Sequence, residues 1–477
     1  MTGMRRGWFH LASGAGIGRA FGFFSNLLLS RWLGPADLGL FNLVTTTVQT
    51  SDTLVRCGGD YALNFELGGH PEATQSEGGA QLARGLAQIC SLTTLVICVG
   101  LAVWIWWGQG LFPTSLPVSH RFILTGLLLL MIAFEGSSAS AWEVLLVSHR
   151  TIPFATRQGL FAPLRLFFAA GAALYWGISG AMLGWIFIAF VQTVYLRSVL
   201  GTLWNPLHLW PLYFTSILVL LKRGSSFFAS NLVASIIFYP LLLRVAAGSG
   251  LSEIGYLRIG QILQQLFAFL PGTLVPVLFL KLREEPKLEE QIGLMEKPLR
   301  VIWIFLLEIL LLYCTLDHFV ITLLFGTSFR SALLPTRLLL LTALFECLSQ
   351  LVVQPLLAAG KTRLYAFWQN GAALFAAVIG WLWIPSAGLA AYLIVRLFYV
   401  LIPLIGFGIP VFLKMRDPRR VLSLILVSSS LLALFLVQII YNYTPEWMSL
   451  VYFALLLVIP LFHRQDLLLL QRLFRRV

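Results

Sequence analysis

LLLLMIAFEGSSASAWEVLLVSHRTIPFATRQGLFA, residues 127–162, lies over LLLLTALFECLSQLVVQPLLAAGKTRLYAFWQNGAA, residues 338–373, without a gap. The overlay pairs Phe134 with Phe345, Glu135 with Glu346, Ser138 with Ser349, Thr151 with Thr362 and Gln158 with Gln369. Runs of leucine match by chance in any apolar chain, so the polar coincidences carry the weight. A carboxylate inside an apolar helix is costly, and two in the same register mark a duplicated unit. A second match agrees: Arg5-Arg6-Gly7 recurs as Lys222-Arg223-Gly224, and similar distances lead on to ADLGLF (36–41) and SEIGYL (252–257). The chain is two like-built halves.

Its composition fixes the medium in which those halves fold. At 58% hydrophobic and 11% charged residues, with a mean hydropathy of +0.85, it is far from the ~25% charged residues of soluble domains. Apolar stretches long enough to cross a ~30 Å hydrocarbon core by helix recur along its whole length. They fall at 9–31, 38–56, 86–108, 121–148, 152–176, 179–200, 224–246, 253–280, 299–326, 333–358, 363–384, 387–412, 420–441 and 446–463. The expectation is an all-α polytopic membrane protein of about fourteen transmembrane helices.

The net charge of +13 belongs to topology rather than to nucleic acid. Arg5, Arg6, Arg150, Lys222, Arg223, Lys281, Arg283, Lys287, Lys297, Lys361, Lys414, Arg416 and the C-terminal arginines all fall in loops on one side. The opposite loops, 109–120, 177–178, 385–386 and 442–445, hold no Lys or Arg. The positive-inside rule then puts both termini in the cytoplasm of a cell membrane. Cys57, Cys90, Cys98, Cys314 and Cys347 show neither metal-ligand spacing nor a disulfide framework, and no cofactor or metal site is expected. The N-terminus reads as a retained first helix. Gly14, Gly16 and Gly18 superficially suggest a dinucleotide loop, but no strand precedes them. Gly14, Gly18 and Gly22 are instead a small-residue face for close helix packing.

An even number of spans in each half relates the halves by an axis along the membrane normal, a construction many transporters share. The expected divisions are a first lobe at 1–200, an interfacial linker at 201–223, a second lobe at 224–412, and an extra helix pair with a basic tail at 413–477. No loop is long enough for a separate folded domain.

SRWLGPADLGLFNL (Ser30 to Leu43), followed by a polar second helix and then GGDYAL (Gly58 to Leu63), resembles the polysaccharide-transporter family of lipid-linked oligosaccharide flippases. These belong to the multidrug/oligosaccharidyl-lipid/polysaccharide exporter superfamily. The local match covers the first 65 or so residues, and the helix count, two lobes and trailing pair agree over the whole chain. The resemblance implies a flippase that moves a polyprenyl-diphosphate-linked oligosaccharide to the outer leaflet, in contact with the bilayer and with glycan polymerase or export machinery. Some drug exporters of the superfamily carry an acid for ion coupling in the first helix; here that helix has Arg19 and no acid.

The ionisable residues inside the spans are the site candidates, because each costs about 2.5–3.5 kcal/mol at a helix centre unless it faces protein or water. Guanidinium groups meet diphosphate oxygens bidentately and stay charged at any accessible pH. Arg19, Arg165, Arg258 and Arg396 are therefore read as cavity cations for the diphosphate, against interhelical pairing as the bland alternative. Asn26, Asn42, Gln49, Gln261 and Gln265 are the candidate polar lining, with Arg258 standing where the repeat has Asn42 and Gln265 where it has Gln49. Glu135 and Glu346 are either a proton-linked switch or lobe-locking ion pairs, and their symmetric placement favours the second. Asp52 is expected to pair with Arg56 one turn on. Trp142 and Trp368 would stack sugars if they faced the cavity.

The competing functions are an ion-coupled small-molecule or drug exporter, a membrane glycosyltransferase, polymerase or ligase, and a structural part of an export assembly. A cationic interior disfavours cationic drugs, and the short outer loops disfavour an enzyme that holds acceptor sugars. Outward movement of the diphosphate with its charge would be favoured by an inward-negative potential.

Overall fold

The structure, a computed structural model, describes residues 2–67, 76–107, 117–148, 151–201, 212–267, 287–359, 361–415 and 418–441, with single positions elsewhere. Among these the secondary structure is helical without strands. The elements are α1 (Thr2–Arg56), α2 (Gly59–Leu67), α3 (Glu77–Trp106), α4 (Val118–Val147), α5 (Thr151–Thr156), α6 (Ala162–Leu200), α7 (Phe214–Ser249) and α8 (Leu251–Phe267). They continue with α9 (Leu288–Phe325), α10 (Leu333–Val352), α11 (Gln354–Ala358), α12 (Thr362–Phe412) and α13 (Pro418–Tyr441). A π-helical turn, Arg157–Phe161, joins α5 to α6, and a 3-10 turn, Thr327–Ala332, precedes α10.

The three longest of these helices each break at a glycine in the left-handed region. Gly34 (φ 70°), Gly177 (φ 55°) and Gly388 (φ 56°) divide α1, α6 and α12. These breaks fall at, or within two residues of, the turns expected between consecutive spans. A residue with a Cβ resists that conformation, so glycine is where two spans can fold back with almost no loop. The chain is an all-helical, multi-pass membrane protein. The fourteenth expected span, 446–463, lies mostly outside the described residues.

Contacts divide the chain into two compact units, Met1–Gly255 and Tyr256–Val477. In the first unit α1 packs on α6 and α4, α3 on α4, and α4 on α6. One core of this unit gathers Val55, Leu63, Leu86, Trp142, Leu145, Phe161, Leu196 and Trp204. Trp204, from the linker, is fully buried there and its indole N–H donates to Ser140 Oγ at 3.0 Å. Farther along the linker, Tyr213 N–H donates to Gln88 Oε1 at 3.0 Å and Arg84 reaches the Tyr213 hydroxyl at 3.1 Å. α7, which the repeat assigns to the second half, packs in the first unit against α1, α2 and α3. In the second unit α10 packs on α12 and α9, and α13 joins α9, α10 and α12.

The repeat is visible where the related segments ADLGLF and SEIGYL meet inside the first unit. A Cβ on Gly39 would stand 1.9 Å from Leu251 O, and one on Gly255 would stand 2.0 Å from Pro35 O. Equivalent glycines thus take equivalent backbone carbonyls, which only a residue without a side chain permits. Asp37 stands beside this crossing, where partial burial pushes its carboxyl above the ordinary aspartate value. Gly255→Ala or Gly39→Ala should force the helices apart and destabilise the protein by about 1–3 kcal/mol. Gly248→Ala, where a Cβ meets nothing within 4 Å, should leave the melting midpoint of the detergent-solubilised protein unchanged or slightly raised.

Candidate functional site

The sequence candidates sort by what the fold places beside them. In the first unit, Glu135 on α4 accepts from two groups on α6. Arg165 Nη1 lies 2.5 Å from Glu135 Oε1, and the Trp185 indole N–H donates to the same oxygen at 3.1 Å. The guanidinium also stacks over Trp185, 5.1 Å from the ring centroid. Its other amino group donates to Gln192 Oε1, and Gln192 Nε2 donates to Ser138 Oγ at 3.3 Å. Carboxylate, guanidinium, indole, amide and hydroxyl form one network tying α4 to both limbs of α6. The Arg165 charge is already met within its own unit.

A second network lies near the C-terminal ends of α1 and α4 in the same unit. Arg56 holds Asp52 at 2.8 Å, Glu143 at 2.8 Å and Asp60 at 3.7 Å. The pairing with Asp52 is the expected one-turn contact; Glu143 and Asp60 were not among the sequence candidates. Arg157, presented by the π-helical turn, stacks over Trp142, 5.6 Å from the ring. Trp142 is 1% exposed in the apolar core, so it offers no platform to a sugar. Trp368 lies against Gly406, where an added Cβ would fall 2.2 Å from its ring.

The second unit treats its acid differently. Glu346 on α10, the repeat mate of Glu135, accepts from Gln264 Nε2 of α8 at 3.2 Å and has no cation within 4 Å among the described residues. Gln369 bonds the Tyr399 hydroxyl, and Arg396 hydrogen-bonds Tyr392; all four lie on α12. The position thirty residues after Glu346 is Ala376, whereas thirty after Glu135 is Arg165. The cation that locks the first lobe has no counterpart in the second. Symmetric placement suggested one role for both acids, and the partners are not symmetric.

The remaining candidates fall as follows. Arg258 is buried on α8, 8% exposed, with Gln261 half-buried one turn on and Gln265 exposed. Asn26 is buried and its amide bonds its own helix at Gly22 O, 2.8 Å away. Asn42 is fully buried and donates to Ile254 O at 3.5 Å, pinning the glycine crossing. Gln49 is exposed. Arg19 lies on α1, but its side chain is outside the described residues.

Sequence reading missed three features. Gln264 was passed over for its neighbour Gln265. Asp317 and Arg337 form a buried ion pair between α9 and α10, with Arg337 also 5.8 Å over the Tyr452 ring of the last span. Glu308 sits mid-span on α9 with one carboxyl oxygen buried and no hydrogen bond or ion pair among the described residues. A simple search for acids within the spans would have found Asp317 and Glu308; that Asp317 pairs with Arg337 is visible only in the fold.

An all-helical chain with duplicated intramembrane motifs and internally paired charges has the architecture of a polytopic transporter. The particular fold is that of the MOP-superfamily transporters. The structure of the lipid II flippase MurJ in an inward closed conformation superposes with a TM-score of 0.71 at 13% identity, over 95% of this chain and 98% of that one. A MOP superfamily transporter from Pyrococcus furiosus gives 0.56 at 15% identity, and an outward-facing multidrug resistance MATE family transporter gives 0.55 at 16% identity. Each covers 86% of this chain and 96% of its own. No protein-family model and no curated protein matches the sequence.

Removing one partner of a buried ion pair strands the other charge, at a cost of about 3–5 kcal/mol. Glu135→Gln should therefore destabilise the protein by about 3 kcal/mol, and Arg165→Met added to it should recover much of the loss. Glu346→Gln leaves no cation stranded and lets two amides pair, so its unfolding midpoint should stay close to that of the parent. Thermal unfolding of the four proteins in detergent checks all of these.

Proposed function

We propose that this protein is a flippase that carries a polyprenyl-diphosphate-linked oligosaccharide from the cytoplasmic to the outer leaflet by alternating access. The observation that carries the reading is Arg258, a guanidinium held at 8% exposure on an apolar membrane helix, one turn from Gln261. A diphosphate leaving water faces a desolvation cost of many kcal/mol per charge, and a buried guanidinium offsets it through paired, charge-assisted hydrogen bonds. Arg396, on α12, is the second cation of this unit assigned to the anion. In the first unit Arg19 is the cation assigned to the anion, and Arg165 is available to it only when released by Glu135. The half-buried Gln261 amide suits a sugar hydroxyl, Asn42 and Asn26 being taken up in the packing of their own helices, and the polyprenyl chain remains in lipid.

The likeness to MurJ over nearly the full length of both chains supports a lipid-linked cargo. The likeness to the MATE transporter supports the alternative, an ion-coupled small-molecule exporter. An interior rich in arginine favours anionic cargo over the cationic compounds such an exporter would take. Of the two repeat-related acids, Glu346 is the coupling candidate, because it is held by an amide rather than neutralised by an arginine. The protein is placed in the cell membrane with both termini cytoplasmic, and a glycan polymerase or export complex would take up its product.

The test is flipping of a labelled polyprenyl-diphosphate oligosaccharide in vesicles containing the purified protein. Arg258→Ala should slow it at least tenfold, and Arg258→Lys should fall between, keeping the charge but losing the fork. Cells lacking the protein should retain the glycolipid in the cytoplasmic leaflet, and Arg258→Ala should not relieve this. Unchanged flipping by Arg258→Ala would assign the arginine to structure, and no flipping by the parent protein would favour the exporter.

A further inference from the structure

A tryptophan has an apolar body and a single N–H donor, so its place in a membrane protein depends on where that donor is met. Three buried tryptophans meet theirs inside the chain: Trp185 donates to Glu135, Trp204 to Ser140 and Trp303 to Ser428. Among the described residues six others are exposed. Trp106, Trp107 and Trp176 are 75%, 79% and 66% exposed, and Trp32, Trp381 and Trp383 join them. The indole N–H groups of Trp32, Trp106, Trp107, Trp176 and Trp383 have no acceptor among the described residues.

These rings are not scattered along the spans. In the first unit Trp32 stands two residues before the break at Gly34, Trp106 and Trp107 close α3, and Trp176 adjoins the break at Gly177. In the second unit Trp381 and Trp383 stand on α12 within seven residues of the break at Gly388. Each place is a span end facing one of the turns 32–37, 109–120, 177–178 and 385–386, which hold no Lys or Arg, although Arg31 adjoins the first. Toward the basic ends, Trp142, Trp204 and Trp303 are buried and Trp368 is half-buried. The side chains of Trp8, Trp210 and Trp447 lie outside the described residues.

We propose that the exposed tryptophans are a one-sided interfacial anchor, seated at the boundary between headgroups and acyl chains of the outer leaflet. The leaflet rests on the reading that places both termini in the cytoplasm. At that boundary an indole keeps its ring among apolar chains while its N–H reaches ester carbonyls, phosphates or water. In the hydrocarbon centre the same N–H would go unmet, and in water the ring would be bare. The rings come with further aromatic surface: Trp106 packs on Phe122 and Trp176 on Tyr175, with centroids 6.1 Å apart in each pair. A protein partner fits less well, because the rings belong to the ends of separate spans on α1, α3, α6 and α12. A lipid boundary meets every span end. At the opposite surface the loops hold lysine and arginine, which anionic headgroups attract. Aromatic rings thus hold the chain at one surface and charge holds it at the other.

The experiment is quenching of tryptophan fluorescence in the purified full-length protein, reconstituted at high lipid excess into phosphatidylcholine vesicles. The lipid carries a nitroxide at the headgroup, near the top of an acyl chain or near its end. The parent is compared with a variant in which Trp32, Trp106, Trp107, Trp176, Trp381 and Trp383 are all changed to Phe. The signal lost on substitution should be quenched about twofold or more strongly by the shallow labels than by the deep one. With the headgroup label confined to one leaflet, quenching should come from the leaflet opposite a C-terminal epitope tag. The variant must elute and melt as the parent does; should it fail to, the Trp106→Phe, Trp107→Phe double variant supplies the same difference. Equal or stronger quenching by the deep label, or a lost signal that no label reaches because a second copy covers the rings, would overturn the anchor. Quenching from the leaflet that holds the tag would overturn its assignment to the outer leaflet.

Discussion

Inside the hydrocarbon core there is no water to satisfy a polar group, so every backbone amide and every charge must be met by the protein itself. The all-helical architecture is the first consequence, since helices satisfy their own backbones. The second is the division of intramembrane side chains into closed networks. Glu135, Arg165, Trp185, Gln192 and Ser138 form one, and Arg56 with its three carboxylates forms another. These networks act as joints: each connects helices that are distant in sequence, and each would leave a stranded charge if one member were removed.

Close packing is the second structural device, and it depends on residues that are absent as side chains. Gly39 and Gly255 let two repeat-related helices touch backbone to backbone. Gly34, Gly177 and Gly388 let a helix reverse within a residue or two. The same economy serves function, because tightly joined helices hold the arginines of the interior at defined positions instead of letting them extend toward the lipid headgroups.

Duplication supplied two acids in one register, and the two halves have since used them differently. Glu135 is neutralised by an arginine thirty residues on. At the matching place in the second half stands Ala376, and Glu346 is held by an amide instead. One lobe is thereby locked by charge and the other is held by a weaker, neutral donor. The second unit does have a buried ion pair, but it joins Asp317 of α9 to Arg337 of α10 rather than using Glu346.

Much was legible in the sequence because a bilayer imposes a strict code: length and apolarity mark the spans, and the repeat marks the duplication. The one-turn pair of Asp52 and Arg56 follows from helical spacing alone. Partners across helices did not follow. Nothing in the spacing distinguishes Gln264 from Gln265, yet one meets Glu346 and the other is exposed. Trp142 could stack a sugar only if it faced a cavity, which the sequence does not decide, and it is buried in the core. The sequence by itself determined that the chain spans a membrane many times, in two like halves, with charges it had to accommodate. Only the tertiary structure decided which charges meet across helices. Periodicity records the face a residue occupies, and ion pairing depends on which face of another helix is brought within 4 Å of it.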